Sequence, residues 1–488
     1  MPAMKPARAV RPENCIYSKH TSTTSRAQLL RPTGNQERRQ HTQTQAHRRR
    51  LHSTAPKEDV ALPLSSLSAS SPPSPLPKMK PVAPLGNLPL SQILRTYLIT
   101  SISSSPALMN ASTKTLRAML ESSNPLFDLN KNPLMRWILL ETFYKQFCAG
   151  SNKAQIAKTT EELRQQGYSG VILEYALEVL TEKKSDEAKD VETWKKGMLD
   201  SVDMAAVGDY VALKWSGMGP AAMRRMKNEQ APSREMEAAM HAICKAASAK
   251  NIGLLPSAEE TWTLNGYHNW TMDLQRAYNI GGKSVMFNTY QAYLRQSAGT
   301  LAKHLEIAKA ENFTLGVKMV RGAYLGSEQR DLIWPTIEAT HNSFDTITSA
   351  LIHRSSNDLV NPTIPSFPSI DVVLATHNAV SVSKAQTWRQ AQSSRGEHLT
   401  PLIFAQLHGM ADEVSCSLLA NAKASEGDEK AVKERVFKYT SWGSMFECLN
   451  YLLRRAAENK DAAGRTSETR AAMGAELGRR LRAGVGLA

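Results

Sequence analysis

The chain has 488 residues, of which 41% are hydrophobic and 22% charged, so it holds enough apolar content for a large folded core. It contains no run of 18 or more apolar residues, and its five cysteines show neither CxxC nor Cys/His metal spacing. These patterns argue against a membrane-spanning helix, a disulfide scaffold and a zinc site. The net charge is +15, of which +10 lies in residues 1–57, where 12 Lys and Arg stand against Glu13 and Glu37.

Residues 1–57 are rich in Arg, Ser, Thr and Gln and poor in acids, a composition typical of a mitochondrial transit peptide. The alternative is a basic arm for nucleic acid, in which residues 48–50 form the densest cluster. No aromatic side chain is interleaved with that cluster, which favours the transit peptide and no nucleic-acid partner. Residues 58–90 are dense in Pro and Ser and are predicted to be a linker.

Helical patterning follows, and we predict a helical arm over residues 91–169. Pro133 to Cys148 reads as a strongly apolar helix, and Lys153 to Gly167 as another that a glycine closes. We expect the apolar face of this arm to pack on the next domain, and contact with a membrane surface is the alternative.

Between residues 170 and 475, short apolar runs alternate with helical patterns. The strand candidates are Gly170–Tyr175, Asp209–Ser216, Asn251–Ser257, Ser284–Tyr290, Leu315–Arg321, Asp371–Thr376, Leu402–Leu407 and Val436–Ser441. Eight strand–helix units predict an α/β fold, a (βα)8 TIM-type barrel, with residues 476–488 left as a C-terminal tail. One intervening helix, predicted over Arg234–Lys250, has Ser233 at its N-cap position.

One motif imitates a dinucleotide site. Residues 217–222, GMGPAA, match G-x-G-x-x-A after a predicted strand. A dinucleotide fold needs an acid at the end of a second strand about 20 residues on, whereas Glu235 and Glu237 open a helix. We therefore reject a Rossmann site here.

Polar side chains stand at most of the predicted strand ends, where barrel enzymes place their chemistry. Several are cationic, which predicts an anionic ligand: Lys214, Lys318, Arg321, Arg454 and Arg455. Each position also has a structural interpretation: Lys214 could extend to solvent from a strand end, and His377 could belong to a hydrogen-bonded turn. No metal-ligand spacing accompanies these residues, and no metal site is predicted.

The last predicted strand leads to residues 451–459, YLLRRAAEN, which read as a helix. Arg454 and Arg455 would lie roughly 100° apart around it, so they could grip an anion from two sides. Arg454 and Glu458 are i,i+4 neighbours, and an exposed helix with an ordinary ion pair is the alternative.

Five motifs occur in order on these elements: FNTYQAYL (287–294), KMVRGAYL (318–325), ATHNA (375–379), QLHGM (406–410) and YLLRRAAEN (451–459). Together they make the chain resemble the proline dehydrogenase family of flavin enzymes. The resemblance covers roughly residues 170–459. It implies a (βα)8 barrel that oxidises L-proline to Δ1-pyrroline-5-carboxylate with FAD, and then passes electrons to a membrane quinone. It also implies peripheral attachment to the matrix side of the inner mitochondrial membrane.

The same resemblance implies roles for individual residues. Arg454 and Arg455 would clamp the proline carboxylate with help from Lys214, while Tyr439, Leu407 and Tyr324 would wall the ring. The residues implied for FAD are Asn288, Lys318, Val320, Thr376, His377, Asn378, Gln406 and Glu458.

Two features qualify the resemblance. Ser257 stands where the family usually has an aspartate, which leaves a carboxylate partner for Lys214 in question. Tyr439 favours proline, since relatives that prefer hydroxyproline tend to lack this tyrosine. The alternatives are a hydroxyproline dehydrogenase, a barrel lyase that uses Lys214 as a Schiff-base amine, and a non-catalytic protein, either a nucleic-acid binder or an inactive homologue.

Overall fold

The computed structural model describes residues 83–122, 124, 131–176, 186–458 and 463–486, apart from the side chains of residues 455–458 and 463–465. All of these residues belong to one unit of the chain, residues 78–488. The predicted transit segment and most of the predicted linker lie outside the described residues.

Eight parallel strands form a barrel, as the sequence predicts. A short strand, β1 (Cys148–Gly150), precedes β2 (Gly170–Tyr175), β3 (Tyr210–Leu213), β4 (Gly253–Pro256), β5 (Asn288–Gln291), β6 (Leu315–Val320), β7 (Ile370–Ala375), β8 (Leu402–Leu407) and β9 (Arg435–Trp442). The barrel strands pair in the order β4-β3-β2-β9-β8-β7-β6-β5. A parallel bridge between Leu254 and Met286, just before β5, joins the two ends. This bridge nearly closes the barrel between β4 and β5.

Helices surround the barrel and follow its strands. Their bounds are α1 (Leu90–Ser103), α2 (Pro106–Glu121), α3 (Pro133–Leu139), α4 (Lys145–Phe147), α5 (Lys153–Gln165), α6 (Glu187–Met204), α7 (Pro220–Lys227), α8 (Arg234–Ala249), α9 (Thr261–Tyr278), α10 (Ser297–Ala310), α11 (Ile337–His353), α12 (Ala379–Ser394), α13 (Asp412–Ala424), α14 (Met445–Glu458) and α15 (Ala463–Gly484). The predicted cap of α8 is confirmed, since the Ser233 side chain accepts a hydrogen bond from the Met236 amide at 3.4 Å. Helix α15 runs across the boundary predicted between residues 475 and 476.

The helix predicted over Pro133–Cys148 ends at Phe147 and contains one π-helical turn, Leu140–Tyr144. The prediction is wrong at its last residue, Cys148. Cys148 begins β1 and pairs with Ser441 of β9. Three residues are too few to show the alternation by which a strand is recognised in a sequence.

The strand predicted over Ser284–Tyr290 begins later, at Asn288. The side-chain oxygen of Asn279 accepts hydrogen bonds from the amides of Val285 at 2.9 Å and Met286 at 2.8 Å. These amides are therefore not available to a neighbouring strand. The strand predicted over Asp209–Ser216 is also shorter, because the chain turns into a 3-10 helix at Trp215.

Side chains alternate between the barrel interior and the helical layer, as strand geometry requires. The interior cluster contains Ile172, Ala212, Leu255, Phe287, Val373, Ile403, Ala405 and Phe437. Val171 and Leu173, on either side of Ile172, belong instead to the core between strands and helices. This alternation decides which polar residues at the carboxyl ends of the strands face inward.

The helical arm packs on the barrel, as predicted. Leu116 and Met119 of α2 and Leu139 of α3 form one buried cluster with Leu449 and Leu453 of α14. The arm thus contacts the helix that carries the predicted arginine pair.

Other apolar side chains of the arm stay exposed, among them Leu94, Leu134 and Trp137. Across the described ranges, no helix combines the length and the hydropathy needed to cross a membrane.

Candidate active site

Lys318 of β6 lies inside the barrel near its carboxyl end. Its side chain is 5% exposed, and its amine lies 5.5 Å from the ring centre of Tyr439 on β9, across the barrel. Burial is the main reason that the pKa of Lys318 is lowered to about 8, the Glu174 carboxylate opposes this shift, and the Lys214 charge adds to it. The mouth of the barrel therefore holds a cation that burial makes easier to deprotonate.

Tyr439 links groups from several strands at this level. Its hydroxyl lies 3.3 Å from the Ser257 hydroxyl, beyond the end of β4. Burial raises the pKa of Tyr439 well above its ordinary value, and the Glu174 carboxylate raises it further. The phenol is therefore neutral and serves as a polar wall.

Helix α14 closes the mouth beside β2. The Tyr451 hydroxyl donates a hydrogen bond to the Glu174 carboxylate, which ties the second turn of the helix to the end of β2. Arg454, one turn further along, lines a small cavity together with Glu174, Lys214 and Tyr451. The structure thus brings Lys214 and Arg454 to one cavity. The side chains of Arg455 and Glu458 lie outside the described residues.

Carboxylates remain near Lys214 although Ser257 replaces the expected aspartate. Glu174 lines the same cavity as Lys214. Glu259, also buried, accepts a hydrogen bond from the Ser216 amide at 3.2 Å. Burial raises the pKa of Glu259, and the charge of Lys214 opposes that rise. Glu174 and Glu259 therefore place two carboxyl groups near Lys214.

The predicted wall residues lie at the ends of β6 and β8. The Leu407 side chain is exposed, and its amide donates to Nε2 of His377 at 3.0 Å. Tyr324 donates from its hydroxyl to the Ala258 carbonyl at 2.9 Å. These contacts fix both residues at the rim of the barrel.

A second, larger cavity, partly open to solvent, adjoins this rim. Tyr439, Leu407, His377 and Tyr451 form its inner side. Its outer side is mostly apolar and comes from the arm and from α14, through Ile99, Ile102, Met109, Leu116, Phe143, Phe147, Leu452 and Leu453. The mouth therefore continues into a space large enough for a ligand with an extended apolar part.

A family model described as proline dehydrogenase matches residues 156–468, more than half of the chain. The chain belongs to the proline dehydrogenase family. A probable mitochondrial proline dehydrogenase of Schizosaccharomyces pombe is 34% identical over 250 residues, which cover 49% of this chain and 49% of that protein. The mitochondrial proline dehydrogenase 1 of Homo sapiens is 31% identical over 274 residues, covering 54% of this chain and 42% of that protein.

A hydroxyproline dehydrogenase of Xenopus laevis is 27% identical over 439 residues and covers 80% of this chain and 87% of that protein. The chain therefore spans about half the length of the two proline dehydrogenases and most of the length of the hydroxyproline dehydrogenase. A solved structure of proline utilization A from Bdellovibrio bacteriovorus, at 14% identity, covers 76% of this chain and 40% of its own, with a TM-score of 0.55. That likeness shows the shared fold.

Membership of the proline dehydrogenase family implies a flavin cofactor. Reduction of a flavin places negative charge on its isoalloxazine ring, which favours a nearby buried cation. Lys318 is such a cation, and Tyr439, whose ring faces its amine, also lines the large cavity. The buried Lys318 amine at the barrel mouth therefore fits the group.

Not every predicted cofactor residue reaches the mouth. Asn288 is fully buried outside the barrel interior, where its side chain contacts His268 of α9 at 3.0 Å and His304 of α10 at 3.5 Å. The inward position at the end of β5 belongs to Gln291, which donates to the Glu259 carbonyl at 2.9 Å and accepts from the Ala323 amide. Sequence reasoning missed Gln291, although the alternation of β5 beyond Phe287 would have indicated it.

Three other predicted cofactor residues already have partners within the fold. The Thr376 hydroxyl accepts from Arg321 and from the Asn378 amide. Asn378 caps α12 by accepting from the Ser381 amide at 2.9 Å. The Gln406 side chain donates to the Thr376 carbonyl at 3.2 Å on the helical side of β8. These side chains shape the ends of β7 and β8, whereas Val320 occupies an inward position on β6.

Proposed function

We propose that the protein catalyses the FAD-dependent oxidation of L-proline to Δ1-pyrroline-5-carboxylate and passes the electrons to a quinone. The observation that carries this proposal is Lys318, a buried amine facing Tyr439 inside a barrel of the proline dehydrogenase family. A cation in this position suits a cofactor that gains negative charge during the reaction.

The substrate carboxylate would be held by α14 and the end of β3. Arg454 and Lys214 line one cavity, and Arg455 follows Arg454 on the same helix. Guanidinium groups bind carboxylates through two parallel hydrogen bonds, which fixes the direction of the substrate as well as its position. Proline would enter with its carboxylate towards α14 and its ring towards Tyr439.

The ring would be enclosed by Tyr439, Leu407 and Tyr324. Oxidation removes a hydride from C5 and a proton from the ring nitrogen, and bound FAD supplies the hydride acceptor. Lys318, Val320 and His377 are the described candidates for holding FAD at the inner side of the mouth. Apolar walls exclude water from the reacting carbon, and fixed orientation supplies much of the rate.

The large cavity between the arm and the barrel supports the choice of acceptor. A quinone has a polar head and an apolar tail, and this cavity joins the polar mouth to apolar surfaces of α1, α2 and α14. Exposed Leu94 and Trp137 on the same arm are consistent with peripheral contact with the inner mitochondrial membrane. The names of the S. pombe and human relatives, together with the composition of residues 1–57, support a mitochondrial location on the matrix side.

Hydroxyproline is the second candidate substrate, because the Xenopus hydroxyproline dehydrogenase matches a larger share of this chain than the two proline dehydrogenases. Tyr439 favours proline, since its ring and hydroxyl occupy space that a substituted ring would need.

We expect Tyr439→Ser to shift the ratio of kcat/KM for the two substrates towards hydroxyproline by about tenfold, or about 1.4 kcal/mol. Tyr144→Phe, which alters a tyrosine bonded to the Gly443 carbonyl, is the control. An unaltered ratio in Tyr439→Ser would show that Tyr439 does not limit the space around the substrate ring.

The function itself is tested by assaying the purified protein with L-proline and a soluble dye acceptor, and then with a short-chain quinone. We expect the released cofactor to be FAD and the product to be Δ1-pyrroline-5-carboxylate, both identified by mass spectrometry. A protein that binds flavin but turns over neither proline nor hydroxyproline would refute the proposal.

A further inference from the structure

A single buried amide joins the helical arm to the turn that follows β8. Gln146 of α4 is 2% exposed. Its Nε2 donates to the Gly409 carbonyl at 2.8 Å and to the Thr96 hydroxyl at 2.9 Å, and its Oε1 accepts from Nε of Arg95 at 2.9 Å. The amide therefore connects α1, α4 and the turn of residues 407–411, which we call the β8 turn.

The β8 turn is shaped to receive α4. Gly409 has a φ of +72°, and a Cβ at this position would lie 2.0 Å from the main-chain oxygen of Gln146. Ala411 is also left-handed, with a φ of 49°. Only glycine permits this approach at position 409. The close contact between the arm and the turn therefore depends on Gly409 as well as on Gln146.

The same turn carries the walls of the proposed substrate pocket. The Leu407 amide donates to His377 at 3.0 Å, and the His408 amide donates to the Tyr439 carbonyl at 2.8 Å. From the helical side, Nζ of Lys438 donates to the Met410 carbonyl at 3.1 Å. A displacement of Gly409 would therefore reach Leu407 and Tyr439 through main-chain contacts.

We propose that Gln146 is a positioning residue, through which the helical arm sets the place of Leu407 and Tyr439 against the substrate ring. This inference rests on the proposed function for the identity of the ring. Removing the two N–H donors of Gln146 leaves the Gly409 carbonyl without its partner in a buried place, which favours movement of the turn. Small displacements of a pocket wall weaken substrate binding although the reacting groups remain.

The test is Gln146→Glu, which keeps the size of the side chain and its contact with Arg95 but removes both donors. We expect KM for L-proline to rise about tenfold while kcat stays within about threefold. Gln165→Glu makes the same chemical change on the exposed surface of α5, where Gln165 contacts Glu161, and is expected to leave both constants unchanged. An unchanged KM in Gln146→Glu, or a fall in kcat alone, would overturn the inference.

Hydrogen exchange of residues 407–411 provides a readout that does not depend on activity. We expect faster exchange in Gln146→Glu and in Gln146→Met, a variant of similar length that is available if the glutamate disturbs folding. Unaltered exchange in the folded variant would overturn the positioning role. If the wild-type protein does not oxidise proline, the proposed function fails, whereas the exchange measurement still decides whether Gln146 holds the turn.

Discussion

Lys318 shows how burial alone can prepare a side chain for its role. Desolvation lowers its pKa to about 8, so the amine is mostly charged at neutral pH and loses its proton as the pH rises through that value. A charged amine close to a reduced flavin would stabilise it, while a neutral amine would not. The pH dependence of flavin reduction should therefore include the ionisation of Lys318.

We expect Lys318→Met to slow anaerobic flavin reduction by proline about 100-fold without loss of bound flavin, since one preorganised charge is removed. In the wild-type protein the rate should decline above about pH 8, and that decline should be absent from the variant. Stopped-flow absorbance measures both rates, and Lys309→Met, which alters a lysine bonded to Ser366 at the surface, is the control. Equal rates in Lys318→Met and wild type would contradict this role.

The second prediction for single residues concerns Arg454 and Arg455. Arg454 lines the cavity that holds Lys214 and Glu174, and Arg455 is its neighbour on α14. We expect Arg454→Met and Arg455→Met each to raise KM for proline about 100-fold or more and to retain flavin, because a bidentate contact is lost. Arg395→Met, which breaks an exposed pair with Glu397, is the control. Steady-state kinetics with unchanged KM would refute the clamp.

At the scale of elements, the packing of β5 against α9 and α10 buries a polar cluster. His268 and His304 contact Asn288, and the Tyr290 hydroxyl lies 2.7 Å from His304. Burial lowers the pKa of His268 to about 4 and that of His304 to about 3, from an ordinary value of 6.5. Both rings are therefore neutral in the folded protein at pH 7.

This cluster predicts a pH-dependent stability. Both folded pKa values lie below the ordinary histidine value of 6.5. The stabilisation that the two neutral rings give the folded protein is therefore complete above pH 6.5 and is lost as the pH falls towards 4. We expect the free energy of unfolding to fall by roughly 2–3 kcal/mol between pH 7.5 and 5.5 on account of the pair. Urea unfolding at the two pH values measures this.

The double variant His268→Gln, His304→Gln should lose most of that pH dependence, even if it is less stable at both values. His398→Gln, which alters an exposed histidine beside Arg354, is the control. A double variant with the wild-type pH dependence would contradict the account.

The elements also show what a sequence can predict. Strands β2 and β8 match their predicted bounds, since each begins with four consecutive apolar residues and then has a polar one. The start of β5 could not be predicted, because the Asn279 side chain takes the amides of Val285 and Met286. The face of β5 is a different matter: alternation from the inward-facing Phe287 puts Gln291 at the mouth and Asn288 on the helical side.

At the scale of the whole molecule, buried charges join the arm to the barrel. Lys438 of β9 and Asp412 of α13 form an ion pair at 2.7 Å, and Gln92 of α1 donates to the same carboxylate at 3.1 Å. A side-chain contact between segments more than 300 residues apart leaves no local pattern in the sequence. For this reason the sequence predicts the helical arm but not the contacts that hold it on the barrel. The arm is therefore a part of the site's support.

The composition of residues 1–57 leads to a prediction about import of the protein into mitochondria. Their excess of basic residues over acids should direct import into mitochondria. We expect removal of residues 1–57 to abolish import of a labelled protein while the purified protein keeps its activity with proline. Replacing residues 58–77 with a Gly/Ser segment of equal length is the control and should leave import intact. Normal import of the shortened protein would exclude the transit peptide.

The account depends most on the placement of a proline ring before a bound flavin by cations at the mouth of the barrel. The most direct measurement is the visible absorbance spectrum of the purified, flavin-loaded protein before and after L-proline is added without oxygen. The account predicts that the flavin band is bleached by proline, and that Arg454→Met requires far more proline for the same change. A flavin band that stays unchanged at saturating proline would contradict it.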